Sequence, residues 1–280
     1  MNRGLVLEFT KMHGAGNDFI VIDNRFFFFS SHELSEIARK FCPRHFGIGA
    51  DGLLALDLPR LADTHYHMAY VNADGSPGEM CGNGARCLAR FAYESGIEER
   101  PLRFSTTAGS YEAFVDPADP SHVRVVLPAP SIVEPNFATV QVGSNALALT
   151  FVDVGVPHAV WFGTRIDDLP VHEWGACVRN HPDFEPTRGA NVDFVEVMAG
   201  DGHPELSVRC YERGVEGETL ACGTGAVSSF AAAGALGLVD ATAAKIRMRG
   251  GTLLVGYTPD KKGIYLEGPA ETVYRGSVVL

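Results

Sequence analysis

The chain has 280 residues, 46% of them hydrophobic and 20% charged, and carries a net charge of −11 from 34 acidic and 23 basic residues. That length suits two domains of ordinary size with cores that need no staples. The acidic field repels phosphate backbones and no basic cluster relieves it, so nucleic acid is excluded as a partner, and no apolar run reaches the ~20 residues that span a membrane.

Met1–Lys11 lacks the apolar core of a secretory signal, so a cytoplasmic protein is expected. Glu8–Lys11, Phe19–Asp23 and His65–Asn72 then read as strands, with only the short apolar run Phe26–Phe29 in between. His32–Phe41 has helical spacing behind a Ser30/Ser31 cap signal, and Ala85–Glu94 has it again. Pro128, Pro130 and Pro135 mark a linker. Val152–Phe162 and Asn191–Met198 read as strands, and Gly225–Leu236, within the small-residue stretch ending at Val239, as a buried helix.

The two halves repeat one another. Gly82-Asn83-Gly84-Ala85 follows Cys81, and Gly223-Thr224-Gly225-Ala226 follows Cys222, 141 residues later. At that offset Tyr70 matches Tyr211 and Asn72 matches Arg213. Gly16-Asn17-Asp18 matches Gly155-Val156-Pro157, and Asp51 matches Asp193 at nearly the same spacing. An ordered set of this kind indicates a duplicated domain, and equivalent residues of two such domains tend to oppose each other across a cleft.

Those equivalent residues include two of the six cysteines. No Cys-x-x-Cys occurs among Cys42, Cys81, Cys87, Cys177, Cys210 and Cys222, so neither a zinc ribbon nor a thioredoxin-type pair is signalled. Cys87, inside its helix, reads as core, and His65 and His67 alternate on a strand without further ligands, so no metal is expected. Cys81 and Cys222 differ from the rest. Each stands at a helix start, where free backbone N–H groups and the helix dipole favour a thiolate, and where glycine amides make a carboxylate site. Two opposed thiols perform stereoinversion: one takes the α-proton of an amino acid, the other returns a proton to the opposite face. The helix N-termini would stabilise the charge that develops on the carboxylate. Lys11 and Lys245 have no pyridoxal-phosphate context, and no Walker or Rossmann glycine pattern is present, so no cofactor is expected.

Longer motifs run nearly end to end: Lys11 to Phe19, Gly47 to Gly52, Asn72 to Ser76, Met80 to Cys87, Gly155 to His158, Gly189 to Asn191, Tyr211 to Gly214 and Glu218 to Gly225. In these the chain resembles the diaminopimelate epimerase family. The resemblance implies an α+β fold of two pseudo-symmetric duplicated domains, each a barrel-like sheet around a central helix. The last strand would return to the first domain, giving residues 1–128 plus 269–280 as one domain and 129–268 as the other. It implies conversion of LL-2,6-diaminopimelate to the meso form, on the route to lysine and peptidoglycan precursors, by a cytoplasmic homodimer. By carry-over Cys81 and Cys222 are the acid/base pair, and Gly82, Asn83, Gly223 and Thr224 offer backbone N–H groups to the reacting carboxylate. Asn17, Asn72, Asn191 and Arg213 hold the distal end, for which a guanidinium fork suits a second carboxylate. Glu212 and His158 orient the thiols or receive the amine.

The chain departs from the family at two positions. Val156 stands where many relatives carry an Asn that helps hold the distal carboxylate, and Gly52 replaces a Gln of some members. Other readings of the same residues are a racemase of another amino acid such as histidine, a redox-sensing dithiol protein, and a catalytically inert amino-acid binder. The dithiol reading leaves the glycines after each cysteine unexplained.

Overall fold

A computed structural model describes residues 4–199 and 204–280, so the first three residues of the stretch Met1–Lys11 lie outside the described residues. The chain divides into two compact units: one runs to Val126 and takes up again at Glu267–Leu280, the other is Leu127–Leu266.

The first unit is built from β1 (Val6–Gly14), β2 (Asn17–Asp23), β3 (Gly52–Asp57), β4 (Tyr66–Asn72), the short β5 (Pro77–Gly78), β6 (Leu102–Thr106), β7 (Gly109–Val115) and β8 (His122–Pro128). Helices α1 (Asn24–Phe27) and α2 (Ser31–Phe41) lie between β2 and β3, and α3 (Gly82–Glu94) between β5 and β6. Ser30 caps α2 through a full capping box with Glu33, whose carboxylate accepts from the Ser30 backbone. Strands β2 and β3 pair in parallel and are buried along almost their whole length. They need apolar side chains on both faces, because α2 covers one and α3 the other. Leu34, Ile37 and Phe41 pack on Ile20, Ile22 and Leu53, while Gly84 of α3 approaches Phe19 and Leu54. Helix α3 packs against β1, β2, β3, β4 and β7, so the sheet wraps it.

The second unit repeats the plan with β9 (Ile132–Val142), β10 (Asn145–Asp153), β11 (Pro157–Phe162), α4 (Val171–Arg179), β12 (Asn191–Met198), β13 (Glu205–Glu212), β14 (Gly217–Thr219), α5 (Gly223–Ala235), β15 (Ala243–Met248), β16 (Gly251–Tyr257) and β17 (Gly263–Pro269). Pairing runs antiparallel β10–β11, parallel β11–β12, antiparallel β12–β13 and β13–β14, parallel β13–β15 and antiparallel β15–β16. That is the succession of β1–β2, β2–β3, β3–β4, β4–β5, β4–β6 and β6–β7 in the first unit. The chain ends in β18 (Glu271–Val279), which returns to the first unit and pairs antiparallel with β1 from Val6↔Val279 to His13↔Glu271.

Three details differ from the reading of the sequence. Val152–Phe162 is not one strand but the end of β10, a turn at Gly155 (φ +89°) and β11. The proline-marked linker is shorter than expected, because Pro135 lies inside β9. It sits where the β9–β10 register shifts, beside Asn136 at φ +55°, and a bulge tolerates a residue with no N–H. The Asp51–Asp193 match is out of step. Leu54 pairs with Tyr70 as Val192 pairs with Tyr211, an offset of 138 rather than 142 residues, so Asp51 precedes β3 while Asp193 is inside β12.

Candidate active site

Helix α3 starts three residues before its apolar pattern, at Gly82, because the cap is a sulfur. Cys81 holds extended backbone (φ −136°, ψ 116°) and its Sγ accepts from the Gly84 N–H at 3.4 Å. No acidic side chain occupies the first turn, where N–H groups lack intrahelical acceptors. Cys81 is half-buried, with Sγ 3.5 Å from Asn17 Oδ1. The same oxygen accepts from Asn83 Nδ2 at 3.4 Å, and Asn17 Nδ2 donates to Asp51 Oδ2 at 2.7 Å. Asp51 therefore fixes which end of the Asn17 amide meets the thiol. Asn72 closes a turn: its Nδ2 donates to Ser76 Oγ at 3.1 Å, and its backbone exchanges bonds with Ser76 and Gly75. Gly52 and Asn72 are register partners at the end of β3 and β4, so a residue larger than Gly52 would meet the Tyr70 ring.

In the second unit Cys222 caps α5 in the same way. Its backbone is extended (φ −122°, ψ 111°), its Sγ accepts from the Gly225 N–H at 3.4 Å, and the first turn again lacks an acidic residue. Thr224 Oγ1 lies 3.3 Å from the sulfur. Behind it the fully buried Cys210 thiol hydrogen-bonds Cys222; that bond, and then burial, push the Cys210 thiol well above the ordinary range, so it stays protonated.

A buried chain of hydrogen bonds runs beside this cap. The Arg213 backbone N–H donates to Asn191 Oδ1 at 2.8 Å, Asn191 Nδ2 lies 3.2 Å from His158 Nε2, and His158 Nδ1 lies 2.7 Å from Asp193 Oδ2. Each link sets the next: the backbone donor orients the amide, and the amide places the imidazole proton on Nδ1, toward Asp193. The structure thus brings His158 and Asn191 together, each with a protein partner. Arg213 Nη1 donates to the carbonyls of Thr187 (2.8 Å) and Gly189 (3.1 Å), which points the fork from the 187–189 loop. Glu212 ends β13, half-buried, opposite Gly217.

Asp51, Asp193 and Arg86 were not among the site residues expected from the sequence. For the last two the signal is a charge inside an apolar run: Asp193 between Val192 and Phe194, Arg86 between Ala85 and Cys87, both fully buried, whereas the exposed Asp51 carries none. Cys87 is core, its thiol pushed up to about 12 by burial.

The fold is shared with known structures. A hydroxyproline epimerase from Agrobacterium vitis has a TM-score of 0.71 at 18% identity, covering 100% of this chain and 93% of that one. A phenazine biosynthesis protein of the PhzF family from Bacillus anthracis has a TM-score of 0.72 at 15% identity, covering 99% and 100%. At such identities the likeness establishes the fold: a two-domain α+β architecture held in common with these proteins. The family follows from sequence. The diaminopimelate epimerase family model matches residues 9–133 and 150–273. Diaminopimelate epimerases from Chlorobaculum tepidum and Aquifex aeolicus are 43% and 38% identical, each over 96% of this chain and over 100% and 97% of their own lengths. The chain belongs to the diaminopimelate epimerase family, a family of isomerases.

Proposed function

We propose that the protein converts LL-2,6-diaminopimelate to meso-2,6-diaminopimelate with Cys81 and Cys222 as its acid/base pair. The observation that carries this reading is the matched pair of caps: two cysteines at equivalent places in a repeated topology, each starting a 13-residue helix and each accepting the N–H three residues on at 3.4 Å. One sulfur, as thiolate, takes the α-proton. The electron pair stays on the α-carbon and spreads into the carboxylate, which the N–H groups of Gly82, Asn83, Gly223 and Thr224 receive. The other sulfur, as thiol, delivers its proton to the opposite face, so the two exchange protonation states at each turnover. No electron-sink cofactor takes part in this scheme. The distal end is held by Asn17, Asn72, Asn191 and Arg213, whose Nε and Nη2 would face the second carboxylate. Glu212 and His158 orient the thiols or meet the amine. We further propose a cytoplasmic homodimer acting in lysine and peptidoglycan precursor synthesis; among the described residues no helix is long and apolar enough to cross a membrane.

The test is α-proton exchange in deuterated water with reduced protein and no added cofactor. LL-diaminopimelate is compared with histidine, glutamate and proline, and Cys81→Ala and Cys222→Ala are the controls. Deuterium in the α-position and meso product from diaminopimelate alone, lost in both controls, is the expected result. Exchange with another amino acid would keep the two-thiol chemistry and change the substrate, with Val156 the first residue to examine. No exchange with any of them would end the reading.

A further inference from the structure

Arg86 is fully buried in the middle of α3, and among the described residues no carboxylate lies within ion-pair distance of it. Its guanidinium meets only neutral oxygens: Asn83 Oδ1 at 2.7 Å and the carbonyls of Gly82 and Pro269, both at 3.4 Å. Burial lowers its pKa to about 10, which leaves it a cation at neutral pH. A buried cation without an anion is costly, and proteins rarely keep one without use.

The elements packed on α3 offer no other counter-charge. On β1 and β2, Glu8 is exposed, alternating with the buried Leu7 and Phe9, Lys11 pairs with Asp18, which also binds Arg44, and Asp23 pairs with Arg25. On β3 and β4, Asp57 binds Arg60, and His67 meets Ser105. On β7, Glu112 alternates with the buried Ala113 and so takes the other face. Near Pro269, Glu267 binds Arg124 and Glu271 faces His13. The ionisable groups whose charges act on Arg86 are Cys87 and Cys81. Cys87 is neutral, since its thiol is pushed up to about 12. Cys81 remains.

We propose that Arg86 is a positioning residue that acts through Cys81: its buried guanidinium is the counter-charge of the Cys81 thiolate, and it fixes Asn83 beside the same sulfur. The inference rests on Cys81 being a working acid/base group. It gives that sulfur a partner for each of its two states. As a thiol it donates to Asn17 Oδ1, and as a thiolate it accepts from the Gly84 N–H and is balanced by Arg86. Gly14 makes room for the arrangement, because a Cβ there would lie 3.2 Å from Arg86 Nη2 and 3.0 Å from Asn83 O. Among the described residues the second unit has no such cation at its cap. The residue 141 positions on from Arg86 is Val227, and the charged side chain that meets the first turn of α5 is Asp193, whose Oδ1 lies 2.5 Å from a Cβ built at Gly225. Arg86 therefore biases the Cys81 sulfur toward thiolate, with no matching cation among the described residues at the Cys222 cap.

The test is the pH dependence of Cys81 alkylation by iodoacetamide, read on the Cys81 peptide by mass spectrometry, in wild type, Arg86→Met and Arg86→Lys. In wild type the midpoint should lie below the ordinary thiol value of about 8.5 and below that of Cys222. Arg86→Met should raise it by about one unit or more, a roughly tenfold loss of Cys81 reactivity at neutral pH, and Arg86→Lys should restore most of it. An unmoved midpoint in folded Arg86→Met protein would overturn the proposal. So would a wild-type midpoint at or above that of Cys222, which decides the matter even if Arg86→Met does not fold. The assay needs no substrate, so failure of the epimerase reading and failure of this one are told apart.

Discussion

Lys11 Nζ lies 2.6 Å from Asp18 Oδ2, and Arg44 reaches both Asp18 oxygens from the other side. Burial alone would raise the Asp18 pKa, but the hydrogen bonds from Arg44 and Lys11 outweigh it and hold the carboxyl at about 2. A carboxylate depressed below its unfolded value stabilises the fold fully above about pH 4, and the contribution is lost as pH falls toward 2. Discounted for the half-exposed Arg44, it amounts to about 1–2 kcal/mol. Asp18→Asn should therefore melt earlier than wild type at pH 7, and the gap in urea titrations should close between about pH 4 and pH 2. Asp18 stood in the sequence as part of a motif, with nothing to separate it from Asn17. The distinction is made by Lys11 and Arg44, which the chain brings together only in three dimensions.

Within α5 two glycines have opposite meanings. A Cβ at Gly225 would lie 2.5 Å from Asp193 Oδ1, on a short side chain whose other oxygen is held by His158, whereas a Cβ at Gly234 would meet nothing within 4 Å. Gly225→Ala should cost roughly 1–3 kcal/mol through overpacking, and Gly234→Ala should gain about 0.5–1 kcal/mol through helix propensity. Thermal melts of the two variants check both signs. Elements were legible in the sequence where local chemistry and tertiary role agree. Ser30 and Glu33 announce α2, and the largely apolar run of Asn191–Met198, broken by Asp193 and Glu196, gives β12 its observed bounds. They were illegible where a long-range contact decides. Gly82-Asn83-Gly84 has poor helix propensity and is helical because Cys81 caps it and Leu54 and Phe19 pack against Gly84. Pro135 looks like a linker residue until β10 supplies the bulge that receives it.

Across the whole molecule the duplication was readable from Cys81 and Cys222, because glycines needed at each cap repeat with them. The topology repeats more faithfully than the residues do. Arg86 has a valine at the matching place, and Asp51 and Asp193 match in sequence spacing but not in strand pairing. Two units of one architecture thus surround their thiols with different charges, which no repeat search detects. The first unit is also discontinuous, since β18 closes it along β1. Deleting residues 270–280 removes eight register pairs from β1 and the Ala270 carbonyl that accepts from Arg90. Hydrogen exchange should then show protection lost over residues 6–14 and 82–94 but kept over 145–198; equal protection in both regions would contradict this.

That closing strand also sets an order of events during synthesis. β1 leaves the ribosome more than 250 residues before β18, an interval of roughly ten to fifty seconds at ordinary elongation rates. Throughout it β1 has one unpaired edge, which Glu8 and Lys11 help to guard against mispairing. The Pro269 carbonyl that receives the Arg86 guanidinium arrives just ahead of β18. The unit encoded first is therefore completed after the second, and the Cys81 site acquires its final surroundings only once β18 has emerged.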